Sequence, residues 1–217
     1  MEHERYTKIN TVYKRDDKGK IIDGEYSLDI FKYLENNLWY VTEKIDGTNI
    51  QIRWDAIEKT VEFGGKDENA QIPSTLVNKL IKMFTIEMFN ELYPDISMII
   101  YGEGYGVGIQ KGGKYIKDDV NFIMFDVTIG GLYLKIANAL NISEKLNIQF
   151  VPILSPMTLI NAINIIREGG FNSLLKVDNE FIAEGFVLRP LVRLFDREGK
   201  LIIVKIKVKD FIVWIKL

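Results

Sequence analysis

Lys44 closes the bulky run Trp39-Tyr40-Val41-Thr42-Glu43 and opens Ile45-Asp46-Gly47-Thr48-Asn49. A lysine in that setting has the makings of a nucleophile. An amine attacks phosphorus only when neutral, and neighbouring cations and partial desolvation push a lysine toward that state. Candidate cations lie downstream in Val204-Lys205-Ile206-Lys207, where Lys205 and Lys207 share a face if the segment is a strand. Glu184, in Glu184-Gly185-Phe186-Val187-Leu188-Arg189-Pro190, offers the carboxylate oxygen that hard divalent cations take. Glu103 lies in the glycine-dense stretch Tyr101-Gly102-Glu103-Gly104-Tyr105-Gly106-Val107-Gly108-Ile109-Gln110, where backbone can approach a ligand closely. An acid leaving an apolar strand into such a loop suits a ribose hydroxyl or a metal-bound water. Phe125, in Phe122-Ile123-Met124-Phe125-Asp126, suits stacking on a purine. In plain alternation Phe125 and Asp126 face opposite sides of their strand, so only one of them lines a given pocket.

Each residue also has a plainer reading. Lys44 is a surface lysine at a strand end, and Lys205 and Lys207 are a solvated stripe. Glu184 is a polar strand edge, Glu103 part of a glycine-rich hairpin, and Phe125 a core phenylalanine. The glycine stretch is neither a Walker A loop, since no Gly-Lys-Ser/Thr follows, nor a dinucleotide fingerprint, since no helical pattern opens after it. What exceeds chance is the ordered set.

The elements that must position these residues follow from periodicity. Residues 39–45 and 48–54 read as strands, the second with Ile50, Ile52 and Trp54 on one face and Asn49, Gln51 and Arg53 on the other. Residues 60–63 are expected to pair with it. Residues 13–24 read as a polar hairpin and 28–36 as a short helix capped by Ser27. Residues 73–92 carry apolar side chains at three- and four-residue spacing and predict one long helix. Residues 98–102, 121–129 and 131–134 are strand-like. Residues 157–169 read as a helix with Pro156 near its start, and 181–188 and 201–208 as closing strands. Many strands with few intervening helices predict an α+β fold of mainly antiparallel sheets flanked by helices.

Composition bounds the rest. The 217 residues are 47% hydrophobic and 27% charged, ordinary for a globular protein able to bury a substantial core. There is no cysteine, so disulfides, thiolate metal sites and cysteine nucleophiles are excluded. The single histidine, His3, argues against a histidine triad or zinc site. Net charge is -2, so contact with nucleic acid must come from a local basic patch. The apolar runs are too short for a membrane span, and the N-terminus lacks a signal-peptide pattern.

Taken in order, the blocks resemble the motifs of the covalent nucleotidyltransferases, the superfamily of ATP-dependent ligases and mRNA capping enzymes. Glu43-Lys44-Ile45-Asp46-Gly47-Thr48-Asn49 is similar to motif I, and its Thr-Asn ending narrows the resemblance to RNA ligases of the phage T4 RNA ligase 2 type. Tyr101-Gly102-Glu103 with Gly106-Val107-Gly108-Ile109-Gln110 resembles motif III, residues 122–126 motif IIIa, residues 184–190 motif IV, and Lys205-Ile206-Lys207 motif V.

The resemblance implies a nucleotidyltransferase fold over residues 1–217, as a single catalytic domain without the C-terminal helical or OB domain, since ten residues follow Lys207. It implies an ATP-dependent RNA ligase. Lys44 would be adenylylated by ATP, the AMP passed to a 5′-phosphate RNA end, and a 3′-hydroxyl would displace it. Mg²⁺, with Mn²⁺ as an alternative, would bind through Glu184 and Glu103. Lys205 and Lys207 would hold the α-phosphate, Glu103 contact the ribose, Phe125 stack on adenine, and Glu43 lie beside the adenine edge, with Ile45 also among the nucleotide-binding residues. Asn49, Gln110 and Lys66 match positions tied to the nucleotide or the RNA ends. Lys66 stands where the family usually has an arginine, keeping the charge but losing the bidentate fork. Lys111, Lys114, Lys117 or a partner protein would supply further RNA surface. A DNA ligase, a guanylyltransferase, or a nucleotide- or RNA-end-binding module without catalysis are the competing readings. The lack of cysteine fits a reducing compartment and sets the expectation of a cytoplasmic protein, while richness in isoleucine, lysine and asparagine fits an AT-rich genome, bacterial or phage.

Overall fold

The computed structural model describes residues 5–175 and 180–211; His3 lies outside them. In chain order the elements begin with β1 (Asn10–Thr11), β2 (Tyr13–Arg15), β3 (Ile21–Tyr26), α1 (Asp29–Tyr33) and β4 (Leu38–Glu43). Then come β5 (Thr48–Asp55), β6 (Thr60–Gly64), α2 (Ser74–Met83), α3 (Ile86–Leu92), β7 (Met98–Gly106), β8 (Val120–Ile129) and β9 (Leu132–Tyr133). The last are α4 (Ile136–Lys145), β10 (Ile153–Thr158), α5 (Leu159–Arg167), β11 (Gly185–Pro190), β12 (Val204–Lys207) and α6 (Val208–Phe211). This is the expected α+β composition. The chain divides into two units: Asp46–Val151 with the N-terminal segment through Tyr6, and Thr7–Ile45 with the part from Pro152 onward.

The first unit is built on an antiparallel sheet in the order β6-β5-β7-β8-β9. The period of two in β5 turns Ile50, Ile52 and Trp54 inward, where they meet Ile100, Phe122 and Met124 of the sheet and Leu76, Leu80, Phe89 and Ala139 of the helices. Trp54 stacks on Phe89 with centroids 5.1 Å apart and donates its indole N–H to the Tyr93 carbonyl. Burying each such side chain stabilises the fold by about 1.5–3 kcal/mol.

The second unit carries the sheet β1-β12-β11-β4-β10, antiparallel except for the β1–β12 pair, and the separate hairpin β2–β3. Trp39 and Val41 of β4, Phe186 and Leu188 of β11, and Val204 and Ile206 of β12 pack with Leu159, Ile163 and Ile166 of α5. The alternate residues of these strands, including Lys205 and Lys207, are left for the opposite face.

Several sequence expectations change in the structure. The long helix over 73–92 is two helices. Phe84 leaves the helical region, and the Thr85 hydroxyl caps α3 by accepting from the Met88 N–H at 3.2 Å. Ser27 does not cap α1; its hydroxyl donates to the Thr11 carbonyl, and Leu28 occupies the cap position. Pro156 lies inside β10, and α5 starts later than expected, capped by Thr158. α4 and most of β10 lack a counterpart in the periodicity reading. The strand over 98–102 runs on to Gly106, so Glu103 sits within β7 and not where a strand passes into a loop.

The sharpest correction concerns β8. Tyr101 pairs with Asp126 but Gly102 pairs with Met124, so Phe125 is an inserted residue, a β-bulge. Core-facing positions accordingly jump from Met124 to Val127. Phe125 and Asp126 therefore share one face, against the expectation that they oppose each other.

Candidate active site

Lys44 stands one residue past β4, with its backbone N–H donating to the Gly185 carbonyl at 2.9 Å. Gly185 in turn pairs with Lys207. This aligns Lys44, the start of β11 and the end of β12 across three strands. Gly185 has φ +148°, and a Cβ there would lie 1.9 Å from the Ile206 carbonyl oxygen. Only glycine lets β11 approach β12 this closely.

Glu184, just before Gly185, carries the electrostatics. Its Oε2 accepts from Lys44 Nζ at 2.6 Å and its Oε1 from Lys207 Nζ at 2.7 Å. The three side chains are only 11–18% exposed, so the charges interact in a partly desolvated setting. Burial by itself pushes the Glu184 carboxyl up, but the charges and hydrogen bonds of Lys44 and Lys207 outweigh it and hold the group below the usual glutamate value. Lys205 is two residues back on β12, on the same face, opposite Val187 and Thr11. The structure thus brings Lys44, Glu184 and Lys207 into contact and puts Lys205 on their strand face.

Glu43 is nearly fully buried, at 1% exposure. Its Oε1 accepts from the Ser173 hydroxyl at 2.6 Å and its Oε2 from the Leu174 N–H at 2.7 Å. This carboxylate anchors the segment before β11, a contact the sequence did not signal. Ile45, two residues further along the chain, is also buried.

The remaining candidates lie in the first unit. Asn49 and Glu103 are cross-strand partners on β5 and β7. The Asn49 Oδ1 is buried without a partner among the described residues, an atom open to a further donor. Gly47 is required by close approach, since a Cβ would meet the Gly104 carbonyl oxygen at 2.2 Å. The space it leaves is filled by the neighbouring strand. The Asp46 N–H donates to the Tyr115 hydroxyl at 3.2 Å, which steadies the turn after Lys44. Phe125 is half-buried, Lys66 is exposed just past β6, and Gln110 is exposed with φ +47°. Among the described residues no group of three or more acidic or histidine side chains could cage a metal ion.

The motif residues therefore fall on a mixed α+β scaffold of antiparallel sheets, the nucleotidyltransferase fold of RNA ligases. The family model for RNA ligases matches residues 37–207, and the chain belongs to that family. Its fold is similar to solved structures of an RNA ligase from Naegleria gruberi. A mutant in the apo form has a TM-score of 0.65 at 19% identity, with 98% of this chain and 60% of that one covered. A mutant with ATP and Mn has 0.65 at 18%, covering 96% and 62%. The form with PPi has 0.65 at 18%, covering 95% and 62%. The chain spans about three-fifths of the length of these ligases. No curated protein matches it. No helix among the described residues is long and apolar enough to cross a membrane.

Proposed function

We propose that the chain is an ATP-dependent RNA ligase that joins 5′-phosphate and 3′-hydroxyl ends through a lysine–AMP intermediate. The observation that carries this reading is the Lys44–Glu184–Lys207 contact. It puts an amine, a carboxylate and a second cation within hydrogen-bond reach of one another, in a family defined by ligation.

In the first step the Lys44 ammonium gives one proton to water, the neutral Nζ bonds to the α-phosphorus of ATP as the bond to pyrophosphate breaks, and a second proton leaves the nitrogen for water to give the phosphoramidate. The Glu184 carboxylate holds the amine beside β11 until the nucleotide arrives. Lys207 and Lys205 then neutralise charge on the transferring phosphate, and positioning carries most of the rate. AMP passes next to the 5′-phosphate of an RNA end, and a 3′-hydroxyl displaces it to form the phosphodiester.

Glu103 is proposed for the ribose, Phe125 for the adenine face, and Asn49, Gln110 and Lys66 for phosphate or RNA-end contacts. Glu43 acts by anchoring the 173–174 backbone, because both its oxygens already accept hydrogen bonds. A single carboxylate between cations does not suit an all-protein metal cage. It does suit Mg²⁺ or Mn²⁺, which keeps waters and shares phosphate oxygens, so Glu184 is proposed to hold the ion. When bound, the ion would offset negative charge on the phosphates.

The test is incubation with Mg²⁺ and α-labelled ATP or GTP, followed by denaturing electrophoresis, with Lys44→Ala as control. Label from ATP that is absent in the variant supports the reading, and nicked and single-stranded RNAs then sort the substrate. Label from GTP alone points to a capping-type transferase. No label from either nucleotide, with the protein folded and free of bound AMP, overturns it.

A further inference from the structure

We infer that Tyr6 is a positioning residue for Phe125, so that nucleotide affinity depends on the N-terminal segment. The inference rests on the proposal that Phe125 stacks on adenine. The bulge in β8 turns Phe125 and Asp126 to the same side, and Tyr6 grips both. Its hydroxyl donates to Asp126 Oδ2 at 3.0 Å, while Asp126 Oδ1 accepts from the Val127 N–H at 3.1 Å. Its ring meets Phe125 edge-on, with centroids 5.1 Å apart at 71°. The same ring lies 4.9 Å from Tyr101 and 5.6 Å from Tyr133, which locks it from two further sides.

The bulge sets the Phe125 side chain on the side of Asp126, and the Tyr6 ring packs against it there. Tyr6 is 8% exposed and Asp126 fully buried, whereas Phe125 keeps an accessible part. Edge-to-face contact fixes the plane of a ring as well as its place, and a base that stacks on Phe125 needs that plane fixed in advance. Tyr6 lies forty residues before the body of its unit (6 against 46), so nothing in the motif pattern points to it.

The experiment measures KM for ATP and kcat of Lys44 adenylylation in Tyr6→Phe, Tyr6→Leu, Phe125→Ala and the Tyr6→Leu/Phe125→Ala pair, with a melting curve for each. Base stacking on an aromatic ring supports a loss of about five- to tenfold in affinity when the platform is disordered. Tyr6→Leu should raise KM by that factor with kcat changed far less, and Tyr6→Phe, which keeps the ring, should lie in between. In the Phe125→Ala background Tyr6→Leu should change KM no further, the signature of one residue acting through the other. An unchanged KM in Tyr6→Leu beside a lowered Tm, or independent effects that multiply in the double variant, overturns the inference alone. If Tyr6→Leu does not fold, an unchanged KM in Tyr6→Phe, which removes the Asp126 bond, overturns it equally. A wild-type chain that takes no AMP from ATP overturns the functional reading and this inference with it.

Discussion

Lys44 and Glu184 are joined by a 2.6 Å hydrogen bond between ammonium and carboxylate, across the step from β4 to β11. The same carboxylate holds Lys207 at 2.7 Å, so one acid separates two cations. Removing it leaves two ammonium groups facing each other in a partly buried site. Glu184→Gln is therefore expected to destabilise the chain by about 2–3 kcal/mol, below the full cost of breaking a buried pair because the site is not dry. Lys44 adenylylation should fall to background. Denaturant unfolding together with nucleotide labelling checks both; a variant as stable and as active as wild type would show that the triad does neither job.

The Glu184 carboxyl is held below its usual value, which fixes the sign of one pH effect. A group with a depressed folded pKa contributes its stability fully above the unfolded value, about 4.3 for glutamate. That contribution is lost as pH falls from there through the folded pKa. Melts of wild type and Glu184→Gln across this acid range should show a stability difference that is constant above about pH 4.3 and shrinks below it. A difference that grows on acidification would contradict the assignment.

Gly185 tests the strand geometry that delivers Glu184. With φ +148° and the Ile206 carbonyl oxygen 1.9 Å from any Cβ, alanine must push β11 off β12. Strain and overpacking together should cost about 3 kcal/mol, or roughly 6–12 °C in Tm for a chain of this size. The separation of Lys44 from Lys207 should widen and adenylylation should drop. Gly199→Ala is a fitting control, since it shares a positive φ, +77°, but has nothing within 4 Å to meet. Equal losses in the two would show that the clash is not what matters at Gly185.

The α+β class with its antiparallel sheets was legible in the sequence, while several bounds and breaks of its elements were not. The ordered motifs, and no one residue alone, singled out Lys44, Glu184, Lys205 and Lys207; the structure brings Lys44, Glu184 and Lys207 into contact and puts Lys205 on their strand face. The break between α2 and α3 was hidden because apolar spacing continues through Phe84, while a single Thr85 hydroxyl makes the cap. The bulge at Phe125 was hidden because an inserted residue leaves no mark in composition; it shows only as a jump of the core positions from Met124 to Val127. Tyr6 and Ser173 were out of reach for a further reason. Their partners, Asp126 and Glu43, lie more than a hundred residues away in the chain, and only the fold joins them.

Glu43 offers the last test, because its carboxylate is buried and spoken for. Glutamine in its place keeps an oxygen for one donor but presents an amide N–H₂ to the other, so either the Ser173 hydroxyl or the Leu174 N–H loses its acceptor. An unsatisfied buried donor costs about 1–3 kcal/mol. Glu43→Gln should therefore unfold earlier by roughly 2–12 °C, and its 173–174 amides should exchange faster with solvent while those of β5 and β7 stay protected. Hydrogen exchange read by mass spectrometry separates this from a direct nucleotide contact. If Glu43 served the base alone, the variant would lose ATP affinity with its 173–174 exchange and its melting point unchanged.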